Sequence, residues 1–217
     1  MHHQEHQPNT RHRLLDAAGE VFAERGFRRA TVREICRKAG ANIAAVNYHF
    51  RDKKTLYAAV LRESHREAHE KYPATLGLGP DPTPHERLHA FVRSFLLRLF
   101  DPGRPAWHSL LMVREMVEPT AAFGALIEDS TRPRYELLLD IVRALLGSAA
   151  SEERVWLCAN SVLGQCLHYH HARHVLARLH GQLPACMLDV ECLADHIVEF
   201  SVGAMENLVQ TTGTRAS

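Results

Sequence analysis

The sequence predicts an all-α protein, with an N-terminal three-helix helix-turn-helix domain, a larger C-terminal helical domain and about nine helices in all. Apolar residues recur at intervals of three and four along most of the chain, and no stretch alternates between apolar and polar residues as a strand would. Capping residues, glycines and prolines divide this pattern into segments of helical length. A chain of 217 residues can bury one small and one larger core. We expect domains at residues 10–57 and 58–211, and flexible tails at residues 1–9 and 212–217.

The first two helices are marked by the residues at their ends. The first is predicted from Arg11 to Arg25, where Gly26 stops it, and its apolar residues repeat at helical spacing. The second is predicted to begin at Val32, because Thr31 followed by Glu34 forms a capping box. A capping box satisfies backbone N–H groups that the start of a helix leaves free, so this boundary is well defined.

A tight turn separates the second helix from a third. Gly40 supplies the left-handed residue that ends a helix, and Asn42 can cap the next one, which runs from Ile43 to about Phe50. Two short helices across a glycine-containing turn have the spacing of a helix-turn-helix. The positions predicted to face inward are Ile35, Ala39, Ile43, Val46 and Phe50.

The outer face of the third helix has an unusual composition. Tyr48 points away from the packed side, Ala44 and Ala45 flank it, and Asn47 and His49 border the face. Small residues allow close approach to the major groove, Asn can bind adenine, and Tyr and His can reach phosphates or base edges. An ordinary short helix in a bundle is the alternative. The residues predicted to contact DNA are Thr31, Arg33, Ala44, Ala45, Asn47, Tyr48, His49 and Lys53.

The same region carries a family resemblance. The run Thr31-x-x-x-Ile35-Cys36-x-x-Ala39-Gly40, followed by Val46-Asn47-Tyr48-His49-Phe50-x-x-Lys53-x-x-Leu56, resembles the N-terminal signature of the TetR/AcrR transcriptional regulators. Ala41 and Asn47 depart from the residues common in that family. The resemblance covers about residues 10–60, and fainter similarity near Arg114-Glu115-Met116, Glu118-Pro119-Thr120 and Gly164-Gln165-Cys166 suggests the CecR-like subgroup. It implies a homodimer that binds a pseudo-palindromic operator and releases it when a small apolar or amphipathic effector binds.

The distribution of charge agrees with a DNA-binding N-terminus. Residues 1–60 contain 11 Lys and Arg against 6 Asp and Glu, a net charge of +5, while residues 61–217 contain 15 against 19, a net charge of −4. No apolar run has the length of a membrane span, and the N-terminus lacks the apolar core of a signal peptide. The five cysteines, odd in number and without CxxC spacing, predict reduced thiols in a cytoplasmic protein.

The remaining helices follow from similar signals. They are predicted at residues 53–72, 84–100, 106–117, 134–146, 151–180 (unless it breaks) and 190–210, with a short helical stretch at 121–129. Their caps are Asp52, the Thr83–Glu86 capping box, Ser151 and Asp189. Lys53 lies at a helix N-terminus, where the helix dipole favours a phosphate group.

Large, soft and aromatic side chains in the C-terminal part could line an effector cavity. An ordinary core would have the same composition, and the family resemblance is what favours a cavity. The predicted effector-binding residues are Phe95, Trp107, Leu110, Arg114, Met116, Tyr135, Gln165, Cys166, Tyr169 and His170.

The last helix is apolar on two sides, so one side needs a cover beyond its own domain. A second copy of the chain could supply this cover, and a central core helix in a monomer is the alternative. The predicted dimer interface is Leu193, Ile197, Phe200, Ala204 and Leu208.

Cys166, His170 and His174 recur at intervals of four residues, a spacing that could hold a metal or haem iron on one helix face. With 16 histidines in the chain, such clusters also arise by chance, and no carboxylate-rich motif supports the site. A helical-bundle metal or haem sensor is therefore the alternative function. No nucleophile–base pair, paired carboxylates or phosphate loop indicates an enzyme, and no cofactor is expected.

Overall fold

The structure is a computed structural model that describes residues 10–103 and 107–215, with side chains as far as residue 210. In these residues the chain forms eleven α-helices, a π-helical turn at Ile127–Thr131 and a 3-10 turn at Ala185–Leu188, and no β-strand. The prediction of an all-α fold is confirmed. The helices are α1 (Thr10–Arg29), α2 (Val32–Ala39), α3 (Ile43–Phe50), α4 (Lys53–Lys71), α5 (Pro84–Phe100), α6 (Trp107–Val117), α7 (Ala121–Leu126), α8 (Arg132–Leu146), α9 (Glu152–His171), α10 (Arg173–His180) and α11 (Val190–Arg215).

The described chain divides into two compact units, and the division differs from the predicted boundary at residue 57. The first unit contains residues 10–67, 102–103 and 107–131, and the second contains residues 68–101 and 132–215. The helices α6 and α7 belong to the first unit because they pack on its core. Trp107 lies so close to Gly19 of α1 that a side chain there would come within 2.5 Å of the indole ring.

The core of the first unit is built by α1 to α4 together with α6 and α7. Gly26, with φ of 74°, interrupts α1 as predicted, and the chain then turns so that the Phe27 ring lies 6.2 Å from Phe22 and 5.0 Å from Tyr57. Val46 and Phe50 of α3 are buried as expected. Ile43 was also expected to face inward, but it lies in the first turn of α3 and is 43% exposed.

The predicted helix starts are confirmed, but the capping box predicted at Thr31 is only half formed, because the Glu34 carboxylate pairs with Arg25. At the start of α2 the Glu34 N–H donates to Thr31 Oγ1 at 3.2 Å. At the start of α3 the Ala45 N–H donates to Asn42 Oδ1 at 2.8 Å. Gly40 ends α2 with φ of 60°. These caps fix α2 and α3 at the boundaries that the sequence predicts.

In the second unit, α5, α8, α9 and α11 surround the buried core. The helix predicted at 151–180 breaks, because α9 ends at His171 and α10 begins at Arg173. The last helix continues to Arg215, four residues into the predicted tail at 212–217. The predicted tail at residues 1–9 lies outside the described residues. Within the described residues, we find no helix with the length and apolar character that crossing a membrane requires.

The prediction of five reduced cysteines is wrong for two of them. Cys186 and Cys192 form a disulfide, while Cys36, Cys158 and Cys166 are free and buried. The 3-10 turn before α11 folds back on the first turn of that helix and brings the two Cα atoms to 5.2 Å. Spacing along the sequence could not show this fold-back.

Candidate nucleic-acid interface

The outer face of α3 is open to solvent in the described structure. Tyr48 is 85% exposed, Ala44 and Asn47 are exposed, and Ala45 and His49 are half-buried. The Tyr48 and His49 rings lie 5.0 Å apart, edge to face. The buried side of the same helix packs on the core, so α3 presents a small-residue surface with one projecting aromatic ring.

Thr31 and Arg33 were predicted to join this interface from α2, and both are exposed. The Thr31 hydroxyl already accepts the Glu34 N–H, and the Glu34 carboxylate pairs with Arg25 Nε at 2.7 Å. Thr31 therefore caps the start of α2. Its hydroxyl can still donate a hydrogen bond to a phosphate oxygen. The predicted DNA contacts of both residues stay predictions.

Lys53 makes contacts that the sequence did not predict. Its Nζ donates to the carbonyl oxygens of Ala30 at 2.9 Å and Arg28 at 3.4 Å, and lies 4.7 Å from the centre of the Phe27 ring. A cation is well placed there, because carbonyl groups at the end of a helix carry partial negative charge. Lys53 thus fastens the start of α4 to the end of α1, and phosphate contact remains a prediction.

The N-terminus of α4 already holds an anionic group, the side chain of Asp52. The Asp52 carboxylate accepts the Thr55 N–H at 2.7 Å, and this bond lowers the pKa of Asp52. The capping carboxylate is an anion at the position where a phosphate was expected, so the two would compete.

Replacing Lys53 with alanine is expected to lower the free energy of unfolding by about 1–2 kcal/mol, since two carbonyl groups lose a charged donor. Lys54→Ala is the matched control, because Lys54 is exposed and its removal changes the charge equally. Urea unfolding of both full-length variants measures the difference. Equal stability of the two variants would contradict the structural role of Lys53.

Arg51 is an interface candidate that the sequence analysis missed. It is exposed, it follows α3 directly, and its φ of 67° is the one positive value among the non-glycine residues that the structure describes. Its N–H donates to Asn47 O at 3.1 Å and closes α3. A positive φ at a residue other than glycine is uncommon, and residues with strained backbone cluster at functional sites. The run Arg51-Asp52-Lys53-Lys54 was the available signal, but its backbone geometry cannot be predicted from residue type.

A buried polar network lies in the first unit between α4, α6 and the start of α7. Glu115, fully buried, accepts hydrogen bonds from the Tyr57 hydroxyl, from Thr120 N at 2.8 Å and from Thr120 Oγ1 at 3.1 Å. Burial and the Glu115 carboxylate raise the pKa of Tyr57, so the hydroxyl remains a donor at neutral pH. The network ties three elements together through one carboxylate.

A cleft of about 950 Å³ adjoins this network. Arg114 Nη2 donates to Glu24 O at 3.2 Å across it, while Arg114 Nε is buried without a hydrogen-bond partner. This lining is charged rather than apolar, and it would suit a polar small molecule. The cleft is lined by Glu24, Arg25, Gly26, Phe27, Arg28, Arg29, Tyr57, Arg114, Glu115, Glu118, Pro119 and Thr120.

Comparison with known proteins identifies the family of both parts of the chain. Residues 14–60 match the bacterial regulatory proteins of the tetR family. Residues 84–205, more than half of the chain, match the C-terminal domain of the HTH-type transcriptional dual regulator CecR. The chain belongs to the TetR family of transcriptional regulators. The predicted resemblance, including that to the CecR-like subgroup, is confirmed.

Individual relatives agree with this family. The HTH-type transcriptional dual regulator CecR of Shigella flexneri is 30% identical over 168 residues, which are 71% of this chain and 72% of that protein. The fold is similar to that of a solved structure, AibR in complex with isovaleryl coenzyme A and operator DNA. The two chains share 18% sequence identity and superpose with a TM-score of 0.64, over 88% of this chain and 97% of the AibR chain. A regulator from Saccharomonospora viridis in complex with choline has 19% identity and a TM-score of 0.60 over 89% and 96%. This TetR-family chain is a DNA-binding regulator and not an enzyme.

In this TetR-family chain the predicted effector residues fall into both units. Four belong to the first unit, where Leu110 and Met116 are exposed. Trp107 packs against α1, and Arg114 lies on the charged cleft. An effector-binding role for these four residues stays a prediction.

The other predicted effector residues lie in the second unit. Phe95, Tyr135 and Tyr169 are half-buried against its core, and Cys166 is fully buried within that core. Gln165 Nε2 donates to Ser201 Oγ at 3.1 Å, which joins α9 to α11. These contacts are those of core packing, and an effector-binding role for the residues remains a prediction.

The metal-site hypothesis required Cys166, His170 and His174 on one continuous helix face. The helix α9 ends at His171, so His174 lies on α10 and is exposed while Cys166 is buried. Burial lowers the pKa of His170, whose ring lies 5.2 Å from that of Phe100. Among the described residues we find no group of three or more His, Cys, Asp or Glu side chains that could hold a metal ion. The geometry that motivated this alternative is therefore missing.

Only some of the residues predicted to form the dimer interface on α11 are exposed. Leu193 and Ile197 are buried in the core of their own unit, so the prediction that they meet a partner is wrong. Leu208 is half-buried against the same core. Phe200, which is 63% exposed, and Ala204 remain available.

Proposed function

We propose that this TetR-family regulator is a repressor that binds a pseudo-palindromic operator as a homodimer. The exposed face of α3, with Tyr48 projecting from it, carries the proposal. A recognition helix enters the major groove with its outward side chains on base edges and phosphates, and Ala44, Ala45, Asn47, Tyr48 and His49 occupy those positions. A regulator of genomic genes works where the DNA is, so we infer a cytoplasmic location.

Exposed apolar side chains on α9 and α11 support the homodimer. The two helices pack together, with the Tyr169 and His196 rings 6.3 Å apart. Trp156 and Leu157 on α9 and Phe200 on α11 are each more than half exposed in the single chain. Large apolar groups on neighbouring helices are typical of a surface that another chain covers. A two-fold dimer would place two α3 helices one or more helical turns of DNA apart, about 34–36 Å for one turn.

We further propose that a small molecule relieves DNA binding. Complexes of relatives with isovaleryl coenzyme A and with choline motivate this step. The effector residues of the second unit, together with Arg114, remain the candidates for contact. Such an effector must prefer the state with low DNA affinity, and couplings of this kind are commonly about 1–3 kcal/mol.

Replacing Tyr48 with alanine is expected to weaken binding to the selected operator by about 10- to 100-fold, because one good base or phosphate contact contributes about 1–3 kcal/mol. The melting temperature should stay unchanged, since the side chain projects into solvent. The operator is first selected from random duplexes with the wild-type protein, and affinity is then measured by fluorescence anisotropy.

Leu179→Ala on α10 is the control, because it removes a similarly exposed apolar side chain far along the chain from α3. We expect this variant to bind the operator as the wild type does. Wild-type affinity of Tyr48→Ala at the same salt concentration would rule out α3 as the recognition helix.

A further inference from the structure

The disulfide between Cys186 and Cys192 closes a short loop at the start of α11. It ties the 3-10 turn at Ala185–Leu188 to the first turn of the helix, with five residues between the two cysteines. Cys192 is exposed and Cys186 is half-buried. A small thiol or disulfide in solution can therefore reach the bond from the side of Cys192.

The three other cysteines have the opposite environment. Cys36, Cys158 and Cys166 are buried, and burial raises the pKa of each thiol, to about 12 for Cys166. Only the thiolate reacts readily with oxidants and disulfides. Thiol chemistry in the folded chain is thus concentrated at the Cys186–Cys192 pair, and the other three serve as internal controls.

The bond lies outside the buried core of the second unit, since neither cysteine belongs to that core. Closing a short loop restricts the unfolded chain less than closing a long one. A protein that acts on DNA also works in a reducing compartment, where the disulfides that form are mostly transient and redox-sensing. This compartment argument rests on the proposed function.

We propose that Cys186 and Cys192 are a reversible thiol–disulfide site that exchanges with glutathione-type disulfides and sets the order of the first turn of α11. One cysteine thiolate attacks oxidised glutathione, forms a mixed disulfide and releases one glutathione thiolate. The second cysteine thiolate attacks the protein sulfur of that mixed disulfide, closes the intramolecular bond and releases the second glutathione. The protein loses two electrons and two protons, and one oxidised glutathione becomes two reduced molecules.

The contacts around the pair indicate how far the effect extends. The Cys192 N–H donates to Asp189 Oδ1 at 2.8 Å, and the Asp189 N–H donates to Cys186 O at 3.3 Å. Beyond this turn, Leu193 and Ile197 of α11 are buried in the core of the second unit, and Asp195 Oδ1 lies 2.8 Å from His89 Nε2 of α5. Opening the bond should therefore loosen residues 185–192, while the rest of α11 keeps its place.

A redox titration of the full-length protein tests the proposal without DNA. The protein is equilibrated at a series of ratios of reduced to oxidised glutathione, quenched with acid, alkylated under denaturing conditions and analysed by peptide mass spectrometry. We expect Cys186 and Cys192 to change together from two alkylated thiols to none, while the other three remain thiols. A pair that stays reduced in fully oxidised buffer, or stays bonded in fully reduced buffer, overturns the proposal.

Hydrogen exchange of the same samples tests the structural effect. Amides of residues 185–192 should exchange at least several-fold faster in the reduced protein. Cys186→Ser should match reduced wild type at every glutathione ratio, and Cys158→Ser should behave as wild type throughout. Equal exchange in both redox states would refute the effect on α11. Because no step involves an operator, failure here leaves the DNA-binding proposal intact, and failure of Tyr48→Ala leaves this one intact.

Discussion

Replacing Phe200 with glutamate is expected to convert the proposed dimer into monomers without unfolding the chain. Phe200 is 63% exposed in the single chain, so the new carboxylate meets water in the monomer and costs little. In a dimer that covers this surface, the same carboxylate would be buried without a partner, which is very costly. Sedimentation velocity should then show a species of half the wild-type mass.

Operator binding should weaken in parallel. Two linked recognition helices bind two half-sites with an effective concentration that a monomer lacks, and the gain from such linkage is about 10²–10⁴-fold. We therefore expect Phe200→Glu to lower operator affinity by at least about 100-fold in an anisotropy titration, with a circular dichroism spectrum like that of wild type.

Val209→Glu is the matched control for this substitution. Val209 is 45% exposed on the same helix, and nine residues at about 100° each place it on the side of α11 opposite Phe200. It adds the same charge and should remain dimeric. A dimeric Phe200→Glu variant, or equal dissociation of both variants, would place the interface elsewhere.

Local signals in the sequence predicted the boundaries of α2 and α3 well. The ends of α2 and α3 depend on Thr31, Gly40 and Asn42, which act on backbone groups within four residues of themselves. The exposure of Tyr48 follows from helix geometry once those ends are fixed. These features depend only on residues that are close in the sequence. The residues on the outer face of α3 could therefore be predicted from the sequence.

The predictions about α11 were less successful for a physical reason. Leu193 and Phe200 are seven residues apart, so they differ by only about 20° around the helix, yet one is buried and the other exposed. Periodicity shows which residues share a face, but the elements that cover the face change along the helix. The contacts of Lys53 and the pairing of Cys186 with Cys192 likewise depend on how the chain folds back, which spacing does not reveal.

For the predicted effector residues, too, the sequence does not show which side chains pack together. Leu110 and Tyr135 were grouped because their types suit an apolar cavity, but they belong to different compact units. The charged cleft, by contrast, collects residues from α1, α4, α6 and the start of α7 whose types gave no common signal. Residue type indicates which chemistry is available, and tertiary packing decides which groups share a site.

Replacing Glu115 with alanine is expected to have the largest effect on stability, lowering the free energy of unfolding of the first unit by about 2–4 kcal/mol. Its carboxylate is the common acceptor for the Tyr57 hydroxyl and for two donors of Thr120. Alanine would leave those donors buried and unpaired, and each such group costs about 1–3 kcal/mol. Urea unfolding followed by Trp107 fluorescence, in a Trp156→Phe background, reports on the first unit.

Two milder substitutions separate the network from simple loss of volume. Tyr57→Phe removes one donor and keeps the ring, so Glu115 retains both Thr120 bonds, and we expect a loss of about 1 kcal/mol. Glu115→Gln keeps the shape and one acceptor oxygen, and its stability should lie between those of the wild type and Glu115→Ala. If Glu115→Gln and Glu115→Ala were equally destabilised, the shape of the side chain would contribute nothing. If neither were destabilised, the carboxylate would not hold α4, α6 and the start of α7 together, and the buried hydrogen bonds to Tyr57 and Thr120 would be dispensable.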